Sequence, residues 1–384
     1  MLARLSRGPN ESLIGRPGSR SALGTPALVL DLDVLEANIA SLAEHARVHG
    51  YRVRPVAKVH KSVEIARRQI AAGGIGVCCA TLAECEAMVD AGIPGVLLFT
   101  SVVTAPKLER LAALNARADG LIVVADDPGN VAQLAEAGRR SGRPLQVLAD
   151  IEVGGRRTGL ADEDRSVALA RLIAGSDGLE YAGLQGYVGD HQNTVDYDRR
   201  RRRSHELLGP LVRLVDRLDA DGLAPRIVSG GGTGTHDFDH ELGVLSELQP
   251  GTYALMDGNY RDVVMRRGEP HPFGTALSVR TTVISAAQPG FVVTDAGLKE
   301  LDGVFGSEHA EILRGAPADA TYSLVGDDMG RIEFARAADS LAVGDVVEVL
   351  PPHCYQTLVL YSHYCVVQGD ELIDLWPVSA RVSW

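Results

Sequence analysis

GVCCATLAECEAMVDAGIPGVLLF, Gly76 to Phe99, holds a complete structural unit in one short stretch. GVCCA is a brief apolar run suited to a buried strand, and TLAECEAMVDAG carries apolar residues at helical spacing and ends in glycine. GVLLF then returns to a strand pattern. A parallel strand needs such a crossover, because the chain must travel back before it can pair in the same direction. Outward from this stretch the alternation repeats. Strand-like runs recur as ALVLDL from Ala27, RPVA near Arg54, LIVVA from Leu121, LQVLADI from Leu145, YAGLQGY from Tyr181 and PRIVS from Pro225. Eight such units in about 210 residues predict an α/β fold, a (β/α)8 TIM barrel over 25–270.

After about Pro270 the helical periodicity stops. LSVRTTVIS, GFVVTDAG, VVEVL, TLVLYSHYCVV and ELIDLWPV are strand-like and separated by Gly, Asp and Pro turns. They predict a C-terminal β-barrel-like domain over 271–384. The lead-in 1–24 is rich in Gly, Pro and Arg and lacks the apolar core of a secretory signal, so an arm or a disordered segment is expected there.

Composition narrows the partners. With 38 basic and 50 acidic residues the net charge is −12, which argues against nucleic acid and anionic membranes. The basic run Arg199–Arg203 lies in a helical stretch and reads as a solvated face. No segment reaches the roughly 18 unbroken apolar residues of a membrane span. Five cysteines, an odd number without framework spacing, predict reduced thiols in a cytoplasm.

In a barrel of this kind the reactive residues sit on the loops after the strands. RPVAKVHKS puts Lys58 at a strand end, where low dielectric would depress its pKa and make it a competent amine nucleophile. VGGRRTG would project Arg157 over the same mouth, able to bind a phenolate or carboxylate by its fork. LQGYVGDHQN offers Gln185, Tyr187, Asp190 and His191 in one loop, suited to acid/base work or to packing on a planar ligand. SGGGTGT, Ser229 to Thr235, has the successive glycine amides and threonine hydroxyls of an anion nest. Each has a plainer alternative: a lysine reaching solvent, a surface turn, a satisfied loop histidine, an ordinary glycine turn. Together they describe a site for a phosphorylated aldehyde.

These segments, with ELQPGTYALMD and PPHCYQTLVLY…GDELIDLWPV, resemble the D-threonine aldolase/D-serine dehydratase family of alanine-racemase-like, fold type III pyridoxal phosphate enzymes. The resemblance runs from about Thr25 to the C-terminus in the same order. It implies pyridoxal 5′-phosphate as cofactor, a small amino acid as substrate and a homodimer. It further implies that Lys58 carries the cofactor, that Arg157 faces its ring, and that Tyr187 lies beside it. By the same resemblance Gly231, Gly232, Thr233 and Tyr253 hold the phosphate, and Gln185 and Ser229 join the cofactor-binding set. The implied reaction is lyase chemistry on a D-β-hydroxy-α-amino acid, either retro-aldol cleavage to glycine and an aldehyde or dehydration to a keto acid.

Both branches of the family set a divalent metal against the β-hydroxyl, held by a His-x-Asp or His-x-Cys pair of the β-domain. In PPHCYQT, His353 is present but Tyr355 occupies the second position, and tyrosine is a rare ligand for hard divalent ions. Cys354, if on a strand, would face away from His353. Many relatives also carry histidines where this chain has Val188, Asp190 and Asn193, although His191 is nearby. The sequence therefore predicts a lyase with an altered or absent metal, with His191, His353 and Tyr355 as acid/base candidates. Racemisation or other α-carbon chemistry is the alternative. A non-catalytic carrier of the cofactor is disfavoured by the β-domain, and a barrel enzyme for some other phosphorylated ligand is the remaining reading.

Overall fold

The computed structural model describes residues 8–303, 309–336 and 340–381. Two compact units are present. One comprises Ile39–Gly251 with Val263–Pro272; the other comprises the chain up to Asn38, Thr252–Asp262 and Phe273–Arg381.

The first unit is built on eight parallel strands. In chain order they are Arg52–Val53, Cys78–Cys79, Leu97–Leu98, Ile122–Ala125, Leu145–Asp150, Leu179–Gly186, Ile227–Gly230 and Glu247–Leu248. Each pairs with its neighbour, Arg52 lies opposite Glu247, and a parallel bridge between Val56 and Cys78 closes the ring. Helices return the chain between strands, and their starts follow from the residues placed there. Thr81, Asp127, Asp162 and Asp196 each accept an N–H three residues on, capping the helices that begin at Leu82, Pro128, Glu163 and Tyr197. Each such cap is worth about 1 kcal/mol. Gly76, which opens the strand-helix-strand stretch, sits at φ +147 against the carbonyl of Gly95 and the guanidinium of Arg54; a Cβ there has no room.

The barrel has the expected architecture but not the expected first strand. Ala27–Asp31 pairs antiparallel with Leu277–Ser285 and parallel with His363–Gln368, so it belongs to the other unit's sheet. The missing barrel strand is Glu247–Leu248, two residues long, between Ile227–Gly230 and Arg52–Val53. The reason is physical: a strand flanked on both edges inside a nine-stranded sheet is as buried as one in a parallel barrel, and ALVLDL reads the same in either. Every barrel strand from Arg52 onward therefore ranks one lower than its place in the sequence pattern.

In the second unit six antiparallel strands close on themselves. Phe291–Thr294, Gly330–Glu333, Thr321–Leu324, His309–Arg314, Val346–Leu350 and Leu277–Ser285 form the ring, with Ala27–Asp31, His363–Gln368 and Glu371–Pro377 extending its sheet. Tyr322 fills its core, fully buried, donating to the Ala296 carbonyl at 2.6 Å. One expectation needs correction here. The TLVLY of PPHCYQTLVLY is not strand: Cys354–Thr357 forms a helical turn and Leu358–Leu360 a 3-10 turn. Of the two alternatives for the lead-in, its described part is an ordered arm; Leu13 and Ile14 pack on the cluster of Leu23, Val29, Val367 and Leu375. Residues 1–7 of the expected arm lie outside the described residues.

Candidate active site

Of the four lysines in the chain, one stands at a strand end of the barrel rim. Lys58 occupies the 3-10 turn Ala57–Val59 after the first barrel strand, half-buried, its Nζ 5.6 Å from the centre of the Phe99 ring. Lys61 is buried and ion-paired with Glu84, while Lys107 and Lys299 are exposed. After the fifth strand the VGGRRTG turn is held from below. The Glu152 carboxylate accepts the amides of Gly154 and, at 3.1 Å, Arg157. Arg157 thereby lays its guanidinium 5.3 Å from the ring centre of Tyr187, which follows the sixth strand.

Beneath this rim the barrel interior is crossed by one continuous polar chain. Arg54 donates to both oxygens of Glu247, at 2.8 and 2.9 Å, in a fully buried fork. Ser229 donates to Glu247 at 2.7 Å and accepts from Gln249 at 2.8 Å. Gln249 also donates to Gln185, which donates to Asp150 at 3.1 Å, and Thr158 donates to the other Asp150 oxygen at 2.7 Å. Burial raises the Asp150 carboxyl above its ordinary range. Ser229 and Gln185, expected against a cofactor, have their side chains in this network, tying the floor of the site to the rim loop of Thr158.

The turn SGGGTGT follows the seventh strand, and here the expected anion nest is partly turned inside out. The Gly232 amide donates to Thr235 Oγ1 at 3.1 Å and to Asp239 at 3.3 Å, and the Gly234 amide donates to Gln192 at 2.9 Å. Gly231 stands at φ +64, where a Cβ would run into the Asp239 carboxylate, and a Cβ on Gly232 would come 2.5 Å from Gln192 Oε1. Asp239 is fully buried, accepts from Ser204 at 2.8 Å, and is pushed up to about 7 by that burial. Thr233 Oγ1 accepts the Gly251 amide at 3.1 Å. Arg200 completes the scaffold: fully buried, it donates to the Gly234 carbonyl at 2.6 Å and to the carbonyls of Thr194 and Val264. The basic run is thus a solvated face except at Arg200, which is a clamp on the glycine turn.

His191 is buried, its Nδ1 3.3 Å from Asp190, and burial lowers its pKa. It lines a small cavity with Ser204, Leu207, Gly231 and Asp239, behind the glycine turn. Its Nε2 has no hydrogen-bond partner among the described residues.

In the second unit, Tyr253 is buried in the 3-10 turn Thr252–Ala254, its ring 5.6 Å from Phe273. His353 is extended (φ −140) just before the helical turn that carries Tyr355, and the change of backbone brings the two rings edge to face at 3.6 Å. Asp257, buried and pushed up to about 6, accepts the amides of Cys354 at 3.1 Å and Asn259 at 3.2 Å. It orders this corner, and sequence reasoning missed it. A phenol and an imidazole are a poor donor set for a hard divalent ion, so His353 and Tyr355 do not fit the family's metal. Among the described residues the only group of three metal-type ligands lies elsewhere, at His45, His236 and Asp237.

An amine at the rim, a guanidinium on an aromatic ring and a glycine turn with no room for side chains fit a phosphorylated aldehyde. Phe99, Asp239, Arg200 and Gln249 were not anticipated; Phe99 closes the quoted GVLLF run, and Gln249 stood in the quoted ELQPG segment without a role. Comparison with known proteins agrees. The alanine racemase N-terminal domain family matches residues 30–257, and a putative serine dehydratase domain matches residues 276–367. The chain is 35% identical to a 3-hydroxy-D-aspartate aldolase of Paracoccus denitrificans (strain Pd 1222), over 95% of this chain and 94% of that one. It is 34% identical to a D-threonine aldolase of an Arthrobacter species, over 95% of each. The solved D-threonine aldolase from Filomicrobium marinum superposes with a TM-score of 0.89 at 36% identity, covering 94% of this chain and 96% of that one.

Proposed function

Since the chain belongs to the alanine-racemase-like, fold type III family of pyridoxal phosphate enzymes, related to the D-threonine aldolases and D-hydroxyaspartate dehydratases, we propose that it cleaves D-β-hydroxy-α-amino acids by retro-aldol reaction. The products are glycine and an aldehyde. The observation that carries this reading is the placement of Lys58, half-buried on the turn after the first barrel strand with its Nζ beside the Phe99 ring, while Lys61 is buried against Glu84.

Pyridoxal phosphate, when bound, supplies an electron sink for the pair left at Cα when the Cα–Cβ bond breaks. The protein's own residues do the rest. Lys58 holds the cofactor through its amine and returns a proton to Cα. Arg157, fixed by Glu152 and stacked on Tyr187, faces the cofactor ring. Gly231, Gly232, Thr233 and Tyr253 receive the phosphate. Because the Gly232 amide is turned inward, Gly232 contributes close approach rather than a donor. Gln185 and Ser229 support the floor. His353 accepts the β-hydroxyl proton with Tyr355 positioning its ring, in place of the metal that relatives use. His191 braces the glycine turn from behind. The net charge of −12 argues against nucleic acid, and no helix among the described residues is long and apolar enough to cross a membrane. All five cysteines are unpaired, which fits a reducing cytoplasm, and a homodimer is the expected assembly.

Incubation of the holoenzyme with D- and L-β-hydroxy amino acids bearing methyl, phenyl or carboxylate side chains tests the reading. Equimolar glycine and aldehyde from D-substrates is the expected result. Ammonia and a keto acid would make it a dehydratase, and stereoinversion without cleavage would overturn the lyase assignment.

A further inference from the structure

Four histidines gather at one place in the first unit that the proposed reaction does not use. His45 and His49, at the end of the helix Leu32–His49, meet His236 and His240 from the segment after the glycine turn. Ring centres lie 4.2 Å apart for His45–His49, 5.0 Å for His45–His236 and 4.2 Å for His49–His240. Asp237, next to His236, adds a carboxylate to this group of ring nitrogens.

We propose that His45, His236 and Asp237 form a binding site for one divalent transition-metal ion of the zinc class, distinct from the His353/Tyr355 corner. One ligand atom from each of the three lies within 4.8 Å of the others. Two imidazole nitrogens and a carboxylate oxygen are a donor set that zinc favours.

The orientation of each ligand supports the assignment more than proximity does. A histidine that ligates a metal normally donates its other ring N–H to a carbonyl or carboxylate, which fixes the tautomer. His236 Nδ1 stands 2.8 Å from the Thr233 carbonyl, and a carbonyl can only accept. Nδ1 therefore carries the hydrogen, and Nε2 keeps its lone pair. His45 Nδ1 is 2.9 Å from the Tyr51 hydroxyl, which can accept, while His45 Nε2 faces Asp237 Oδ1 at 3.0 Å. Asp237 Oδ2 accepts from the Tyr197 hydroxyl at 2.7 Å, leaving Oδ1 turned toward the histidine. All three ligands are thus held from their remote atoms, with the near atoms converging. His240 offers a fourth nitrogen: its Nδ1 is buried and has no hydrogen-bond partner among the described residues. The plainer arrangement, in which His45 Nε2–H donates to Asp237 and Nδ1 accepts from Tyr51, is the other tautomer of the same neutral ring. An entering cation takes Nε2 and leaves the hydrogen on Nδ1, turned to the Tyr51 oxygen. His45 and His236 are buried and Asp237 is half-buried, so the site has an open side. An ion there would clip the helix end to the segment that follows SGGGTGT, next to Thr233.

Equilibrium dialysis of the holoenzyme against Zn²⁺, with Co²⁺ as a visible reporter, decides the matter. One ion per chain is expected, with the d–d absorption of a low-coordinate cobalt site. Asp237→Asn and His45→Gln should each lose that ion, while His353→Ala should keep it. Should a ligand variant fail to fold, Tyr197→Phe carries the test, since losing an outer-shell partner weakens metal binding by about tenfold or more. Absence of stoichiometric binding to the parent would overturn the site. So would an ion that survives Asp237→Asn and vanishes in His353→Ala, or a Tyr197→Phe affinity equal to the parent's.

Discussion

At the scale of the residue, Lys58 and Lys61 differ in surroundings: Lys58 is half-buried with its Nζ 5.6 Å from the Phe99 ring centre, and Lys61 is buried against Glu84. Both lie in RPVAKVHKS, but Lys61 has φ 48 and is committed to Glu84, which also accepts the Ala80 amide at 2.7 Å. Borohydride reduction followed by peptide mapping should place the pyridoxyl group on Lys58 alone; recovery on Lys61 would overturn the assignment. The same scale decides the metal question in the β-domain. A carboxylate brings a full charge, whereas a phenol with a reference pKa near 10 must first lose its proton. Tyr355 packs on His353 as a ring, and the nearby carboxylate, Asp257, is already taken up by two backbone amides. Cleavage activity, assayed with saturating cofactor, should therefore persist after chelation. Tyr355→Ala, which removes the ring packed on His353, should lower kcat, while Tyr355→Phe should stay near the parent. Activity abolished by chelator and restored by a divalent ion, in His45→Gln as in the parent, would show that the corner holds a metal after all.

At the scale of the element, the turn bearing Lys58 is joined to the helix Val63–Ala71 through His60. The Ser62 amide donates to His60 Nδ1 at 3.1 Å, and Nε2 stands 3.2 Å from Gln69 Oε1, so the neutral ring is satisfied on both sides. A second proton would have to enter at Nδ1 and break the Ser62 bond. Burial accordingly pushes His60 down to about 4. Between that value and its free value of 6.5 the unfolded chain binds a proton that the fold rejects. His60 thus contributes its full stability above about pH 6.5, and loses it as the pH falls toward 4. Urea titrations from pH 7 to 4 should show a shallower decline for His60→Gln than for the parent; parallel curves would refute this. The glycine turn makes a second prediction. Gly231→Val is not a clean probe of cofactor binding, because its Cβ meets Asp239. Gly231→Ala brings the same Cβ against Asp239, so it should cost more stability than the about 1–2 kcal/mol of positive φ alone, together with faster cofactor loss on dialysis. A variant as stable as the parent, with unchanged retention, would reduce the turn to a simple connection.

At the scale of the whole molecule, the barrel depends on a polar spine as well as on its apolar layers. The Arg54–Glu247 fork links the first and eighth strands, one of the two seams at which a short strand must hold the ring together. Arg54 also donates to the Gly95 carbonyl, in the space left by Gly76 and Gly95. Removing one partner of a buried pair leaves an uncompensated charge and costs about 3–5 kcal/mol. Glu247→Gln should show a loss of that order in denaturant unfolding. Since Glu247 also accepts from Ser229, cofactor retention should fall with it. A loss below about 1 kcal/mol would mean that the apolar core alone holds the seam.

Seven of the eight barrel strands, a following all-β region, the strand-end lysine and the glycine turn were legible in the chain itself, because periodicity, helix caps and turn chemistry are local properties. The departure at Tyr355 was legible too, since a donor set depends on residue type. Tertiary structure alone decided that Ala27–Asp31 belongs to the β-domain sheet, and that Glu247–Leu248 completes the barrel. It alone turned the Gly232 amide inward, buried Arg200 within a run of exposed arginines, and gathered His45 with His236 from residues 191 apart. A strand two residues long carries no period, and a doubly buried strand carries no mark of which sheet it joins. Pairing and burial of that kind are settled by contacts between distant segments, which no local pattern encodes.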